Sequence, residues 1–406
     1  MSAGRSATVD RVLRGQLCTG CGLCASLAGE AISMTTVAPG YSRPVQQAPV
    51  PQAIEAIIAE ACPGSRVAPW GDAPNKSASW GPWLSTDTGH ATDEAVRHIG
   101  SSGGAISALA IHALRSGLVD RVLHVLADPE YPTRNLIKIS RIERDVVSGA
   151  GSRYAASSPL AEIGRELDAG GALAFIGKPC DVSALRQLAK AEPRVGRHVP
   201  LMLSFFCGGI PSHAGADRVI RAMGLEPAEV AAFRYRGNGW PGKAAAITQA
   251  GTVGEMSYAE SWGDYLSHEV QFRCKICPDA VGGVADITCA DAWYGGEAGY
   301  PTFEELDGRS LIMARTEAGA RFLAGAVASG ELATTSLDIR DVDLMQPSQA
   351  SRKRLVRARL AALTATLQPR PQVDGLLIEA AAKTATMRDQ LRNFLGTIRR
   401  VLIGKR

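Results

Sequence analysis

At 406 residues, with 46% apolar and 21% charged residues, the chain has ordinary globular composition and length for two or three compact domains, which excludes disorder. A net charge of +4, with no basic stretch interleaved with aromatics, argues against nucleic-acid binding. Residues 1–14 are polar and charged, unlike a signal peptide, and the longest apolar run, Val199 to Ile210, is too short to span a bilayer. The expectation is therefore a cytoplasmic, non-transmembrane chain. Its nine cysteines then sit in a reducing compartment, where clustered cysteines bind metal or catalyse.

Residues 1–68 hold Cys18-x2-Cys21-x2-Cys24 and a distal Cys62-Pro63, the ligand pattern of a bacterial ferredoxin. The tight loop brings three thiolates to three corners of one cube. No second triplet follows, so Cys62 is expected to close the same 4Fe–4S cluster. A zinc knot is the competing reading, and three cysteines at this spacing favour the cluster.

Residues 69–90 are rich in Gly, Pro, Ser and Asn and read as a linker. From Ala91 the pattern becomes βα-like. The loop Ser101-Ser102-Gly103-Gly104 opens a helix with Ile106, Leu109, Ala110, Ala113 and Leu114 on one face; Gly117 ends it, and Val119 to Leu126 follows as a strand. Two later segments share one plan. Ala172 to Gly177 is a buried strand leading into Lys178-Pro179-Cys180 and a helix with Asp181 as its N-cap. Pro200 to Phe206 is a second strand, leading into Cys207-Gly208-Gly209 and a helix from about Ser212. If the two strands are parallel, Cys180 and Cys207 emerge together at the carboxyl edge, where open α/β sheets hold ligands. Residues 229–300 look richer in short strands, and 316–330 and 350–406 look helical.

The second cysteine group is Cys180, Cys207, Cys274 and Cys277, the last two forming a CxxC knuckle. Four thiolates suit a second 4Fe–4S cluster or a structural zinc, and spacing alone leaves both open. Cys289 falls in a buried strand pattern and reads as a core thiol.

These residues carry a resemblance. CTGCGLC (18–24), SSGGAISAL (101–109), GSRYAASSPL (151–160), FIGKPCDVSALR (175–186), FFCGG (205–209), FRYRGNGWPG (233–242) and CKICPDAVGGVADITCADAW (274–293) occur in order. Together they resemble the coenzyme F-420 hydrogenase/dehydrogenase β-subunit family. The resemblance implies an FAD enzyme with 4Fe–4S clusters, and tips the second cysteine group towards iron–sulfur over zinc. It departs from members with a fuller ferredoxin module, which carry a second CxxCxxC triplet.

The resemblance points to a flavin site at Ser101, Ser102, Gly103 and Gly104, whose amides and helix dipole suit a pyrophosphate. Ser152, Arg153 and Tyr154 look like a second flavin-contacting turn, and Lys178 stands beside Cys180. Arg234, Arg236 and Trp240 join two cations to an aromatic platform, which suits a flat, anionic substrate. No histidine stands out as a proton donor. Met387, Leu391, Phe394, Leu395, Ile398 and Leu402 share one helical face, flanked by Arg388, Arg392, Arg399, Arg400, Lys405 and Arg406. Such a stripe can lie on an anionic membrane but is read here as packing on the chain itself or a partner.

The expected architecture is α/β. A ferredoxin-like module (1–68) and linker (69–90) precede an α/β flavin-binding domain (91–225), a β-richer domain (226–350) and a helical tail (351–406). The expected function is an iron–sulfur flavoprotein oxidoreductase. It would move electrons between a ferredoxin or another redox protein and an organic substrate or coenzyme F-420. A non-catalytic electron-transfer subunit of a larger complex is the alternative.

Overall fold

Eight strands form one mixed sheet, seen in a computed structural model that describes residues 3–295 and 301–404. They are β1 (Ser85–Ala91), β2 (Arg121–Ala127), β3 (Asn135–Ser140), β4 (Leu173–Ile176), β5 (Leu201–Phe205), β6 (Ile287–Asp291), β7 (Ser310–Ala314) and β8 (Leu332–Ser336). Their order across the sheet is β8-β1-β7-β6-β5-β4-β2-β3. The four central strands β2, β4, β5 and β6 run parallel, and the flanking strands pair antiparallel.

The central strands read as near-continuous apolar runs because both faces are covered. Ala174, Leu201 and Leu203 pack with the helices Ala105–Arg115 and Glu317–Ala328. The alternate residues Leu173, Phe175 and Met202 pack with the helix Pro179–Leu188. This period of two fixes which side chains meet which layer. As the parallel pairing of β4 with β5 requires, Cys180 and Cys207 both follow carboxyl ends of neighbouring strands.

Three expectations change. Residues 69–90 do not form a free linker: Trp70 and Trp80 are buried, a short hairpin spans Asn75–Ser77 and Gly81–Trp83, and 85–91 is strand β1 inside the sheet. Small polar residues there masked a strand hydrogen-bonded on both sides. The boundary at 225/226 does not separate sheets either, because β6 pairs directly with β5, Leu203 opposite Ile287. What the β-rich stretch contributes is a three-stranded sheet, Val230–Arg234, Lys243–Thr248 and Val253–Ser257, inserted between β5 and β6. Finally, the helix after β4 is capped at Lys178, with Asp181 one turn inside; the Asp181 carboxylate accepts the Lys178 backbone N–H at 3.1 Å.

The N-terminal segment folds as the helices Ala7–Arg14, Leu23–Ala28 and Gln52–Ala61 and a hairpin, Ile32–Val37 with Tyr41–Gln46. It shares a core with the rest of the chain: Val12, Leu17 and Cys18 pack in one cluster with Trp70, Phe272, Leu311 and Val356. At the other end, the helix Met387–Leu402 packs on Pro347–Ala365. Thr397 lies on the buried side, and Met387, Leu391 and Leu395 are exposed. The chain thus covers the apolar stripe only in part: Phe394 and Ile398 are half-buried, and Leu402 is exposed with Met387, Leu391 and Leu395. Lys405 and Arg406 lie outside the described residues.

Candidate functional site

Cys18, Cys21, Cys24 and Cys62 line one small cavity, walled by Val9, Val12, Met34, Pro44 and Ile58. Local chain geometry explains the convergence. Gly20 and Gly22 hold φ of 78° and 89°, which winds the loop back on itself. Gly22 also passes so close to the 158–161 turn that a Cβ would meet Ala161 N at 2.7 Å. Cys62 caps the helix Gln52–Ala61, and its carbonyl accepts from Ser65 N and Arg66 N, both at 2.9 Å. All nine cysteines are free thiols. Burial pushes the Cys62 thiol up to about 11, and raises Cys18, Cys21 and Cys24 too, the other thiols adding repulsion at Cys21 and Cys24. Four thiols in an apolar cavity ionise together only when a cationic centre compensates them.

The second group gathers at the carboxyl edge. Cys180 sits in the first turn after β4, and Cys207 follows β5 with its N–H on Ala280 O at 2.8 Å. The knuckle 274–277 closes with Cys277 N on Cys274 O at 3.3 Å. Burial raises the Cys207 thiol to about 12, with Cys274 and Cys277 adding to it; Cys180 is raised by burial and by Asp181, Cys207 and Cys274. Cations surround this set through its backbone. Arg352 donates to the carbonyls of Cys207 (2.8 Å) and Gly208 (2.7 Å), Arg359 to Lys275 O (2.6 Å) and Lys353 to Pro278 O (2.6 Å). Among the described residues, no three His, Cys, Asp or Glu side chains converge on the position of a single ion.

Two charged features lie between the thiol groups. Arg273, 2% exposed, donates to Pro63 O at 3.0 Å, and its charge acts on both Cys62 and Cys277. Asp181 acts on both Cys21 and Cys180, and is paired with Lys178 at 2.7 Å. Burial opposes the Lys178 charge, and Asp181 with Cys180 outweighs it, so the ammonium is held. The Lys178 ammonium also donates to Ser157 Oγ at 2.9 Å.

Three sequence-predicted loops meet along the same edge. Ser101 Oγ donates to Arg236 O at 3.1 Å and accepts from Ser152 N. Ser102 Oγ donates to Arg309 O at 2.9 Å, and the Gly103 N–H to Ser310 Oγ at 3.0 Å. Gly103 packs against the sheet: a Cβ there would lie 2.6 Å from Gly89 O and 2.8 Å from Ser310 N. Gly104 has φ of 73° and starts the helix Ala105–Arg115 with no side-chain cap.

Arg153 spends its guanidinium on Asn135 Oδ1 and on the carbonyls of Pro132, Arg134 and Phe233, while Tyr154 packs on Tyr235 and Trp262. Arg236 is buried in a bidentate pair with Asp291, both bonds 2.8 Å, against the rings of Tyr258 and Trp293. Trp240, 1% exposed, donates to Asp291 Oδ1 at 2.9 Å and stacks on Trp293. The side chains of Arg236 and Trp240 are therefore committed inside the protein, while Arg234 donates to Ile99 O at 3.1 Å beside Gly151 and Gly237.

A cleft of about 530 Å³ opens beside this assembly, lined by Ser42, Arg134, Asn135, Ser157, Ser158 and His213 among others. Ser158 donates to Gly20 O at 2.8 Å, so the cleft wall touches the loop between Cys18 and Cys21. Sequence reasoning missed Arg273, Asp291, Ser157 and Ser158. Ser157 and Ser158 lie within the quoted 151–160 motif and Asp291 within the quoted 274–293 motif, whereas Arg273 falls one residue outside the latter.

Comparison with known proteins follows the same lines. The coenzyme F420 hydrogenase subunit beta of Methanococcus voltae is 29% identical over 265 residues, covering 64% of this chain and 86% of that protein. The F420-dependent formate dehydrogenase 1 subunit beta of Methanococcus maripaludis is 25% identical, covering 64% of each. The chloroplastic 7-hydroxymethyl chlorophyll a reductase of Oryza sativa subsp. japonica is 24% identical, over 54% of this chain and 45% of the reductase. These relatives are oxidoreductases by name, which supports a redox role. A chain from the F420-reducing [NiFe] hydrogenase complex of Methanosarcina barkeri shares the fold, with a TM-score of 0.52 at 20% identity, covering 70% of this chain and 96% of its own. Family models for the N-terminal and C-terminal parts of the coenzyme F420 hydrogenase/dehydrogenase beta subunit match residues 87–163 and 170–340. The chain belongs to the coenzyme F420 hydrogenase/dehydrogenase beta-subunit family.

Proposed function

We propose that the chain is an iron–sulfur flavoprotein oxidoreductase. It would move electrons between a ferredoxin-type partner and an organic substrate or deazaflavin. The observation that carries this reading is the pairing of two four-thiol groups, bridged by a buried arginine, with three flavin-motif loops on one sheet edge. The donor sets fit 4Fe–4S clusters: each is all thiol, and the first lines an apolar cavity instead of gathering at a point. Cations around the second set fit a cluster that carries net negative charge.

Cys18, Cys21, Cys24 and Cys62 would hold one cluster, and Cys180, Cys207, Cys274 and Cys277 the other. FAD would lie against the Ser101–Gly104 loop, where the uncapped helix start suits a pyrophosphate, with Ser152 and Lys178 near it. When bound, the clusters supply one-electron transfer and FAD supplies exchange with two-electron acceptors. The chain's own residues prepare the site. Val9, Val12 and Ile58 keep water from the first thiol set, and Arg273 and Lys178 hold positive charge between the sets. Asp291 fixes Arg236 and Trp240, so Arg234 and the loop around it form a rigid wall for a substrate.

The test is an anaerobic assay of the isolated chain with a reduced ferredoxin-type donor and a panel of deazaflavin and other organic acceptors. Acceptor reduction by the chain alone is expected. A second reading, a non-catalytic relay subunit, draws on the solved neighbour's place in a hydrogenase complex. Reducible clusters with no turnover of any acceptor would favour that reading.

A further inference from the structure

The segment beyond residue 340 lies outside both family-model matches, and it builds a groove of its own. The helices Pro347–Ala365 and Met387–Leu402 leave between them a concave space of about 700 Å³, lined by Arg354, Arg359, Arg392 and Arg400. Its lining carries one carboxylate, Asp389, which accepts from Thr386 Oγ1 at 2.7 Å.

The arginines are poorly neutralised. Arg354 reaches Asp343 only at 3.6 Å, and its Nε is buried without a partner. Arg359 spends its donors on neutral acceptors, Asn393 Oδ1 at 2.9 Å and Lys275 O at 2.6 Å. Burial, then the neighbouring charges of Arg352 and Arg400, push Arg359 down to about 10. Arg392 and Arg400 make no ion pair among the described residues. Mutual repulsion of this kind is relieved by an anion. Several guanidinium forks around one recess match the tetrahedral oxygens of phosphate better than a single carboxylate. The concave shape suits a small molecule over a flat protein surface.

We propose that this groove binds a phosphate-bearing small anion, held by Arg354, Arg359, Arg392 and Arg400. The proposal is independent of the redox reading above. Because Arg359 also holds the carbonyl of Lys275, between Cys274 and Cys277, the ligand would sit one side chain away from the second thiol set.

The test uses the full chain and pyrophosphate as the probe, by calorimetric titration at physiological salt. Saturable binding is expected. The double variant Arg392→Ser/Arg400→Ser should weaken it at least tenfold, both residues being exposed and so dispensable for folding. Arg357→Ser is the control: it removes a charge from the other helix of the groove, Pro347–Ala365, where Arg357 pairs with Glu379 away from the lining, and should leave binding unchanged. No saturable binding by the wild type would overturn the proposal. So would binding that survives the double variant, or binding that the control weakens equally. Should the double variant misfold, protection of the arginines from phenylglyoxal by pyrophosphate, read by mass spectrometry on the wild type, decides the question. Protection of Arg392 and Arg400 supports the site, and its absence rejects it.

Discussion

Arg273 donates a hydrogen bond to the carbonyl oxygen of Pro63 across 3.0 Å, tying the peptide after Cys62 to the peptide before Cys274. The guanidinium is buried, its Nε has no protein partner, and no carboxylate pairs with it among the described residues. An isolated buried cation is costly unless something negative faces it. The two thiolate-bound clusters proposed above would meet that need.

Removing this charge should make both clusters harder to reduce. One charge at cluster distance and an effective dielectric near that of protein is worth on the order of 50–100 mV. Arg273→Gln should therefore lower both potentials in an EPR-monitored redox titration while iron content stays near wild type. Unchanged potentials with full iron would show that Arg273 only fastens the two peptides.

The N-terminal segment should melt with the rest of the chain. Leu160 N donates to Cys21 O at 2.9 Å, and Gln187 Nε2 to the carbonyls of Arg66 (3.0 Å) and Ala61 (3.3 Å). With a shared core, Cys21→Ala should remove about half of the iron and lower the melting temperature of one cooperative transition. Two separate transitions in calorimetry would mean an independent module.

The Arg236–Asp291 pair is a buried bidentate contact at the end of β6. Arg236→Ala leaves Asp291 uncompensated and should cost about 3–5 kcal/mol in denaturant unfolding. Replacing both residues together, Arg236→Met with Asp291→Leu, should recover much of that loss. A single variant within about 1 kcal/mol of wild type would be incompatible with the buried pair.

His124 gives the fold a pH dependence. Burial, then Lys138, lowers its ring from 6.5 to about 4, and its Nε2 lies 2.7 Å from Ser140 Oγ. Between these values the unfolded chain binds a proton that the folded chain does not. Stability contributed by the neutral ring is therefore present above pH 6.5 and lost as pH falls towards 4. His124→Gln should flatten that part of the melting-temperature profile relative to wild type. Parallel profiles would remove His124 from the account.

The alternating and continuous apolar patterns made β4 and β5 legible, and with them the shared edge of Cys180 and Cys207. The ferredoxin spacing likewise brought Cys62 to the triplet across nearly forty residues, because metal-ligand spacing is a local signal. β1 was not legible. Ser85 to Ala91 is polar and small, and its strand state comes from pairing with β7 and β8, which lie more than two hundred residues away. Arg273 and Asp291 escaped notice for the same reason: their importance lies in partners, Pro63 and Arg236, that no sequence window contains.

The central claim is that both four-thiol groups hold 4Fe–4S clusters, and metal analysis of the anaerobically purified chain tests it most directly. The account predicts a brown protein with about eight iron atoms and about eight acid-labile sulfides per chain. About four irons with one zinc would make the second group structural, contradicting the two-cluster account, and a colourless protein without iron would contradict it altogether.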